Sequence, residues 1–158
     1  MKPTVYIETT IPSYYCEDRN DFFHEIARTR QWWDHERNWY ECFTSQVVLD
    51  ELSAGAYAGQ QKCLTLAESL PLVAVVDEVL DIAEVYQTQK LMPRHPAADS
   101  IHVALASFYR MDYLLTWNCR HLANVNKARH LEIVNARMGL SAPLLITPHQ
   151  LQPLEDWQ

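Results

Sequence analysis

The sequence predicts an α/β fold, a central parallel sheet of about five strands with helices on both faces. Three observations carry this. Short β-branched or apolar runs (5–8, 41–45, 72–76, 113–116 and 144–146) alternate along the chain with longer stretches of helical periodicity. Proline or glycine separates several of them, at Pro71, Gly55 and Gly139. Strands separated by helices require crossover connections, and these build parallel sheets covered on both sides. No repeat or inter-domain linker is visible, and 158 residues suit a single domain spanning 1–158.

The elements follow in order. Residues 4–8 read as a buried strand with a polar stop at Glu8-Thr9-Thr10, and Ile11-Pro12-Ser13 starts a new segment. From Asp21 to Tyr40 the pattern is helical, with Phe22, Ile26 and Trp33 on one face and Arg28, Arg30, Asp34, Glu36 and Arg37 at solvated positions. Glu41–Ser45 is a short strand, Ser45 caps a helix over Gln46–Ala54, and Gly55 ends it. A helix over about 58–70 stops at Pro71, and Leu72-Val73-Ala74-Val75-Val76 reads as the clearest buried strand. Asp77 caps the next helix, with Val79, Ile82, Ala83 and Tyr86 on its apolar face. The loop Met92-Pro93-Arg94-His95-Pro96 precedes a helix from Ala97 to Tyr109. Tyr113–Thr116 is a strand, a helix follows near 124–138, Leu144–Ile146 is the last strand, and Pro148 opens a final turn.

Composition excludes several classes of function. The three glycines, at 55, 59 and 139, cannot form a glycine-rich phosphate loop. A net charge of −7 argues against holding nucleic acid by bulk electrostatics, although part of that charge can belong to a metal site. Cys16, Cys42, Cys63 and Cys119 contain no C-x-x-C pair and fit reduced thiols. Cys119 and His121 lack the second ligand pair that zinc needs. There is no signal-peptide pattern and no apolar run of membrane-spanning length, so a cytoplasmic protein with no membrane partner is expected.

Four segments place oxygen-bearing side chains where a parallel sheet would gather them: Val5-Tyr6-Ile7-Glu8, Val47-Val48-Leu49-Asp50-Glu51, Ala97-Ala98-Asp99-Ser100 and Leu114-Leu115-Thr116-Trp117-Asn118. Ligand sites in open α/β sheets form beyond the carboxyl ends of the strands. Carboxylates gathered there repel one another unless a cation is present. Mg²⁺ and Mn²⁺ favour such oxygen ligands, so metal-dependent phosphoryl transfer is the first hypothesis. Glu51 follows Val47 and Val48 at helical spacing, which sets it toward the apolar side of its helix, where it needs a compensating partner. Asp99 can cap its helix and still ligate a metal. His102, one turn later, is read as a packed, hydrogen-bonded histidine or as the group that orients Asp99 or touches substrate. Thr9, Thr10 and Thr116 are hydroxyl candidates for a metal-bound water or a phosphate of the substrate, and Arg120 is the best-placed cation for a phosphate. The adjacent Trp32 and Trp33 point about 100° apart on an α-helix, so either both enter a core or one lies in an interface.

The opening Tyr6-Ile7-Glu8-Thr9-Thr10, the segment Ser45-Gln46-Val47-Val48-Leu49-Asp50-Glu51-Leu52, the run from Ala98 to Ala106 and the run from Asp112 to His121 occur in this order, with separations of 43, 48 and 19 residues between Glu8, Glu51, Asp99 and Asn118. Together they resemble the PIN domain family, in particular the VapC-like toxin ribonucleases of bacterial toxin–antitoxin pairs, over nearly the whole chain. The resemblance implies a three-layer α/β/α fold, Mg²⁺ or Mn²⁺ held by acidic residues, and cleavage of single-stranded RNA. It also implies a small antitoxin protein as partner, and a homodimer. It places the catalytic and metal-binding positions at Glu8, Glu51, Asp99 and Asn118. The family commonly has aspartate where Glu8 stands. Asn118 keeps a carbonyl oxygen but loses a charge, leaving three carboxylates instead of four. A catalytically weak PIN-like module that binds RNA or protein is therefore the rival reading, and an unrelated α/β phosphotransferase a third.

Overall fold

In the computed structural model, residues 1–89, 91 and 97–153 are described. The loop expected at 92–96 lies outside them. Five strands, β1 (Thr4–Ile7), β2 (Glu41–Ser45), β3 (Leu72–Val73), β4 (Tyr113–Leu115) and β5 (Leu144–Ile146), form one all-parallel sheet in the order β3-β2-β1-β4-β5. Seven α-helices accompany them among the described residues: α1 (Thr10–Tyr15), α2 (Phe23–Gln31), α3 (Gln46–Ser53), α4 (Gln60–Glu68), α5 (Asp77–Thr88), α6 (Ala97–Phe108) and α7 (Val125–Arg137).

Side-chain alternation in the central strand separates the layers. Tyr6 joins Leu114 in a core beneath α3, α5, α6 and α7, while Val5 and Ile7 join Leu115, Cys42 and Trp32 in a second core with Ile11 of α1 and Trp33. All of these central positions are buried, as a sheet covered on both faces requires. No helix among the described residues is long and apolar enough to cross a membrane.

The structure corrects the sequence at several points. The expected helix over 21–40 is broken: a 3₁₀ turn at Asn20–Phe22, α2, a π-turn at Trp32–Glu36 and a 3₁₀ turn at Arg37–Trp39. The wider turn carries both tryptophans inward, Trp32 at 0% and Trp33 at 5% exposure, so neither forms a surface patch. Arg28 is not solvated. Its guanidinium forms a two-pronged ion pair with Glu36 and donates to Pro148 O at 2.7 Å and Leu151 O at 3.0 Å, pinning the segment after β5.

The run 72–76 is not a long buried strand. Only Leu72 and Val73 pair, with Thr44 and Ser45, at the edge of the sheet, and Leu72 is 47% exposed. An apolar run does not distinguish an edge from a centre. Val76, not Asp77, occupies the cap position of α5. Ser45 holds the cap position of α3 but makes no side-chain capping bond, because its hydroxyl is committed elsewhere.

Candidate active site at the carboxyl edge of the sheet

Chain order reverses at β1: β2 and β3 lie on one side of it, β4 and β5 on the other. The crevice beyond β1 and β4 is thus a topological switch point, where such sheets bind ligands. Glu8 follows β1 and is 4% exposed. Its backbone N–H continues the ladder to Leu115 O at 3.2 Å. Its Oε2 accepts from Thr10 N–H at 3.1 Å, Thr10 Oγ1 at 2.5 Å and Thr116 Oγ1 at 2.7 Å. Burial pushes the Glu8 carboxyl above the usual carboxylate range; nearby His102 and the donors from Thr10 and Thr116 pull the other way without cancelling it.

Thr116 is fully buried and links two site positions: it donates to Glu8 and accepts from Asn118 N–H at 2.9 Å. Thr10 does the same across the crevice, accepting from Trp117 N–H at 2.8 Å. The threonines at strand ends that the sequence singled out therefore fasten β1 to β4.

Glu51, on α3, is the most exposed of the three acids, its side chain 35% accessible. Its Oε1 accepts from Thr9 Oγ1 at 2.8 Å and makes a short contact with His102 Nε2. Burial opposes its ionisation, but His102 and the Thr9 hydrogen bond outweigh it, and the carboxyl lies below its ordinary range. The compensating partner demanded by the sequence is thus His102, which turns to Glu51 across the crevice and not to the Asp99 of its own helix.

His102 is itself fully buried. Its Nδ1 lies 2.7 Å from Tyr6 OH, which lies 2.7 Å from Ser45 Oγ; Tyr6 and Ser45 are also fully buried. Burial pushes the Tyr6 phenol far up, so it stays protonated. The sequence reading missed Tyr6 and Ser45 as site residues, since an aromatic inside an apolar run and a serine before a helix look like core and cap.

Asp99, the third residue of α6, is 8% exposed. Lys127 of α7 was also missed. It is half-buried and donates to Leu91 O at 2.8 Å. Burial lowers its pKa and the charge of Asp99 raises it, so a cation stands within electrostatic reach of the third acid. Asn118 is part-buried after β4, and its Oδ1 accepts from His121 N–H at 3.0 Å, closing the turn 118–121. Arg120 is exposed on that turn.

The donors present, three carboxylates and one carboxamide, are the hard oxygen type that Mg²⁺ and Mn²⁺ take. Among the described residues, however, no three His, Cys, Asp or Glu side chains stand close enough to enclose an ion. An ion held by all three acids requires one carboxylate to turn inward.

No protein-family model and no curated protein sequence matches this chain. Solved structures do. A chain of a toxin–antitoxin complex from Klebsiella pneumoniae superposes with a TM-score of 0.58 at 15% identity, covering 93% of this chain and 99% of that one. A chain of VapBC2 from Rickettsia felis, bound to a DNA fragment from its promoter, superposes with a TM-score of 0.54 at 13% identity, covering 91% and 98%. The fold of this chain is the PIN-like α/β/α fold that its sequence motifs resemble, shared over nearly its full length with chains of toxin–antitoxin complexes.

Proposed function

We propose that the chain is a divalent-metal-dependent endoribonuclease that cleaves single-stranded RNA, the toxin of a toxin–antitoxin pair. The observation that carries this is the position of Glu8 and Thr116, with Glu51 tied in through Thr9, at the switch point of a sheet shared with toxin–antitoxin structures. Glu8, Glu51 and Asp99 would hold Mg²⁺ or Mn²⁺, with Asn118 assisting through its remaining lone pair. Bound there, such an ion supplies positive charge against the scissile phosphate and lowers the pKa of attacking water. Thr10 and Thr116 keep the Glu8 carboxylate in one orientation, and Thr9 and His102 do so for Glu51. Arg120, exposed beside the crevice, meets a phosphate of the RNA. No side chain acts as a covalent nucleophile.

A small antitoxin that covers the crevice, and a homodimer, belong to the same proposal through the likeness to toxin–antitoxin complexes. With Trp32 and Trp33 inside the core, the dimer rests on that likeness alone.

A second reading is favoured by one specific observation: the Asn118 oxygen is already engaged by His121 N–H, and no charge stands at that position. On this reading the chain is a PIN-like module that binds RNA or protein and turns over slowly. Cleavage of mixed single-stranded RNA in Mn²⁺, Mg²⁺ or EDTA, with Asp99→Ala as control, separates the two. Metal-dependent cleavage absent from Asp99→Ala supports the nuclease; RNA binding without cleavage supports the module.

A further inference from the structure

A polar chain crosses the inside of the protein and ends on a site carboxylate. Ser45 closes β2, Tyr6 lies in β1, His102 lies in α6 and Glu51 in α3, so four separate elements contribute one residue each. Ser45 Oγ to Tyr6 OH is 2.7 Å, Tyr6 OH to His102 Nδ1 is 2.7 Å, and His102 Nε2 contacts Glu51 Oε1. The first three residues have no exposure at all, so no solvent competes for these bonds. The Tyr6 and His102 rings also meet at a centroid distance of 5.6 Å and 51°, which fixes the imidazole plane.

For a neutral imidazole, proton bookkeeping gives the chain one direction. An ionised carboxylate can only accept, so His102 Nε2 carries a proton toward Glu51. In a neutral ring Nδ1 is then an acceptor, and the Tyr6 hydroxyl donates to it. The phenol oxygen accepts from Ser45. Each proton has one acceptor, and the tautomer follows from the partner of the second nitrogen. This also explains why Ser45 stands at the cap position of α3 without capping it.

We propose that Tyr6 and His102 are positioning residues: through the Ser45–Tyr6–His102 chain they lock the Nε2–H tautomer of His102 and hold the Glu51 carboxylate at the edge of the crevice for its ligand. The inference rests on the nuclease reading for the identity of that ligand, a divalent cation. Thr9 donates to the same Glu51 oxygen, so the carboxylate is gripped by Oε1 from two sides. Carboxylate and histidine partners of this kind typically tune metal affinity by about 10- to 100-fold.

The test has two arms on the full chain. ¹⁵N-histidine NMR at neutral pH, with the His102 signals assigned by their loss in His102→Gln, reads the tautomer. Protonated Nε2 with bare Nδ1, redistributed between tautomers in Tyr6→Phe, supports the proposal. Protonated Nδ1 in the wild type overturns it. Mn²⁺ titration by calorimetry forms the second arm. Affinity about 10-fold lower in His102→Leu and largely recovered in His102→Gln, whose amide restores a donor, supports positioning. Unchanged affinity in a folded His102→Leu overturns it. Should His102→Leu fail to fold, the milder Tyr6→Phe carries the arm: a several-fold loss supports the proposal and no loss overturns it. A wild type that shows the expected tautomer and Mn²⁺ response but cleaves no RNA rejects the nuclease reading and leaves this inference standing. A wild type that cleaves RNA while its His102 variants bind Mn²⁺ normally does the reverse.

Discussion

Replacing Thr116 by valine tests whether the Glu8 carboxylate is held by the wall of the crevice. Valine keeps the shape and β-branching of threonine, so packing at this fully buried position changes little. What is lost is the 2.7 Å hydrogen bond to Glu8 Oε2 and the acceptor for Asn118 N–H at 2.9 Å. A hydrogen bond to a charged group contributes about 1.5–3 kcal/mol, and a buried donor left without a partner costs about 1–3 kcal/mol. Because Asn118 is only part-buried, water recovers some of the second amount, and the expected loss is about 2–4 kcal/mol at neutral pH. The loss should shrink on acidification. Burial already favours protonated Glu8, and a neutral carboxyl loses less when a donor goes. Urea denaturation of wild type and Thr116→Val at pH 7 and pH 5, in EDTA, measures both effects. A deficit under about 1 kcal/mol at pH 7, or one that grows at pH 5, would show that Thr116 does not carry the Glu8 charge.

The two acids flanking the crevice should have opposite pH signatures without metal. Glu51, with its folded pKa lowered, adds stability above its unfolded pKa that is lost as pH falls through the folded value, so Glu51→Gln should flatten the acid limb of the Tm–pH profile. Glu8, with its folded pKa raised, weakens the fold as pH rises past its unfolded pKa of about 4, so Glu8→Gln should raise Tm at pH 7 and lose that advantage near pH 4; identical profiles for the two variants would contradict both assignments. Arg28→Met should cost about 3–5 kcal/mol by chemical denaturation, because Glu36 and two carbonyls lose a partner that is only 12% exposed; a cost near zero would place the pair effectively in solvent. Millimolar Mn²⁺ should raise the Tm of the wild type by mass action and that of Asp99→Ala much less, as read by differential scanning fluorimetry. Asn118→Asp should tighten Mn²⁺ binding if residue 118 faces the ion, whereas unchanged affinity in both Asn118→Asp and Asn118→Ala, by calorimetry, would confine Asn118 to capping its turn.

Much of the architecture is legible in the sequence because it depends on local signals. The run Val5-Tyr6-Ile7 stopped by Glu8, the boundaries at Gly55, Pro71 and Gly139, and the period of α5 each depend on neighbouring residues, and the structure places strands and helices there. The order of oxygen-bearing residues at strand ends follows from the same logic, since a parallel sheet brings those ends to one edge. Tertiary packing alone decided the rest. That 72–76 forms only a two-residue edge strand depends on where β3 sits in the sheet, which periodicity does not encode. The π-turn at Trp32–Glu36 arises where two adjacent indoles enter one core, overriding the helical repeat. Arg28 leaves solvent because the segment after β5, 120 residues further on, offers it two carbonyls. The site shows the same division. Glu8, Thr116 and Glu51 can be named from their positions in the chain. The pairing of Glu51 with His102, and the line from His102 through Tyr6 to Ser45, join residues 39 to 96 positions apart, and only the folded chain brings such side chains within hydrogen-bond distance.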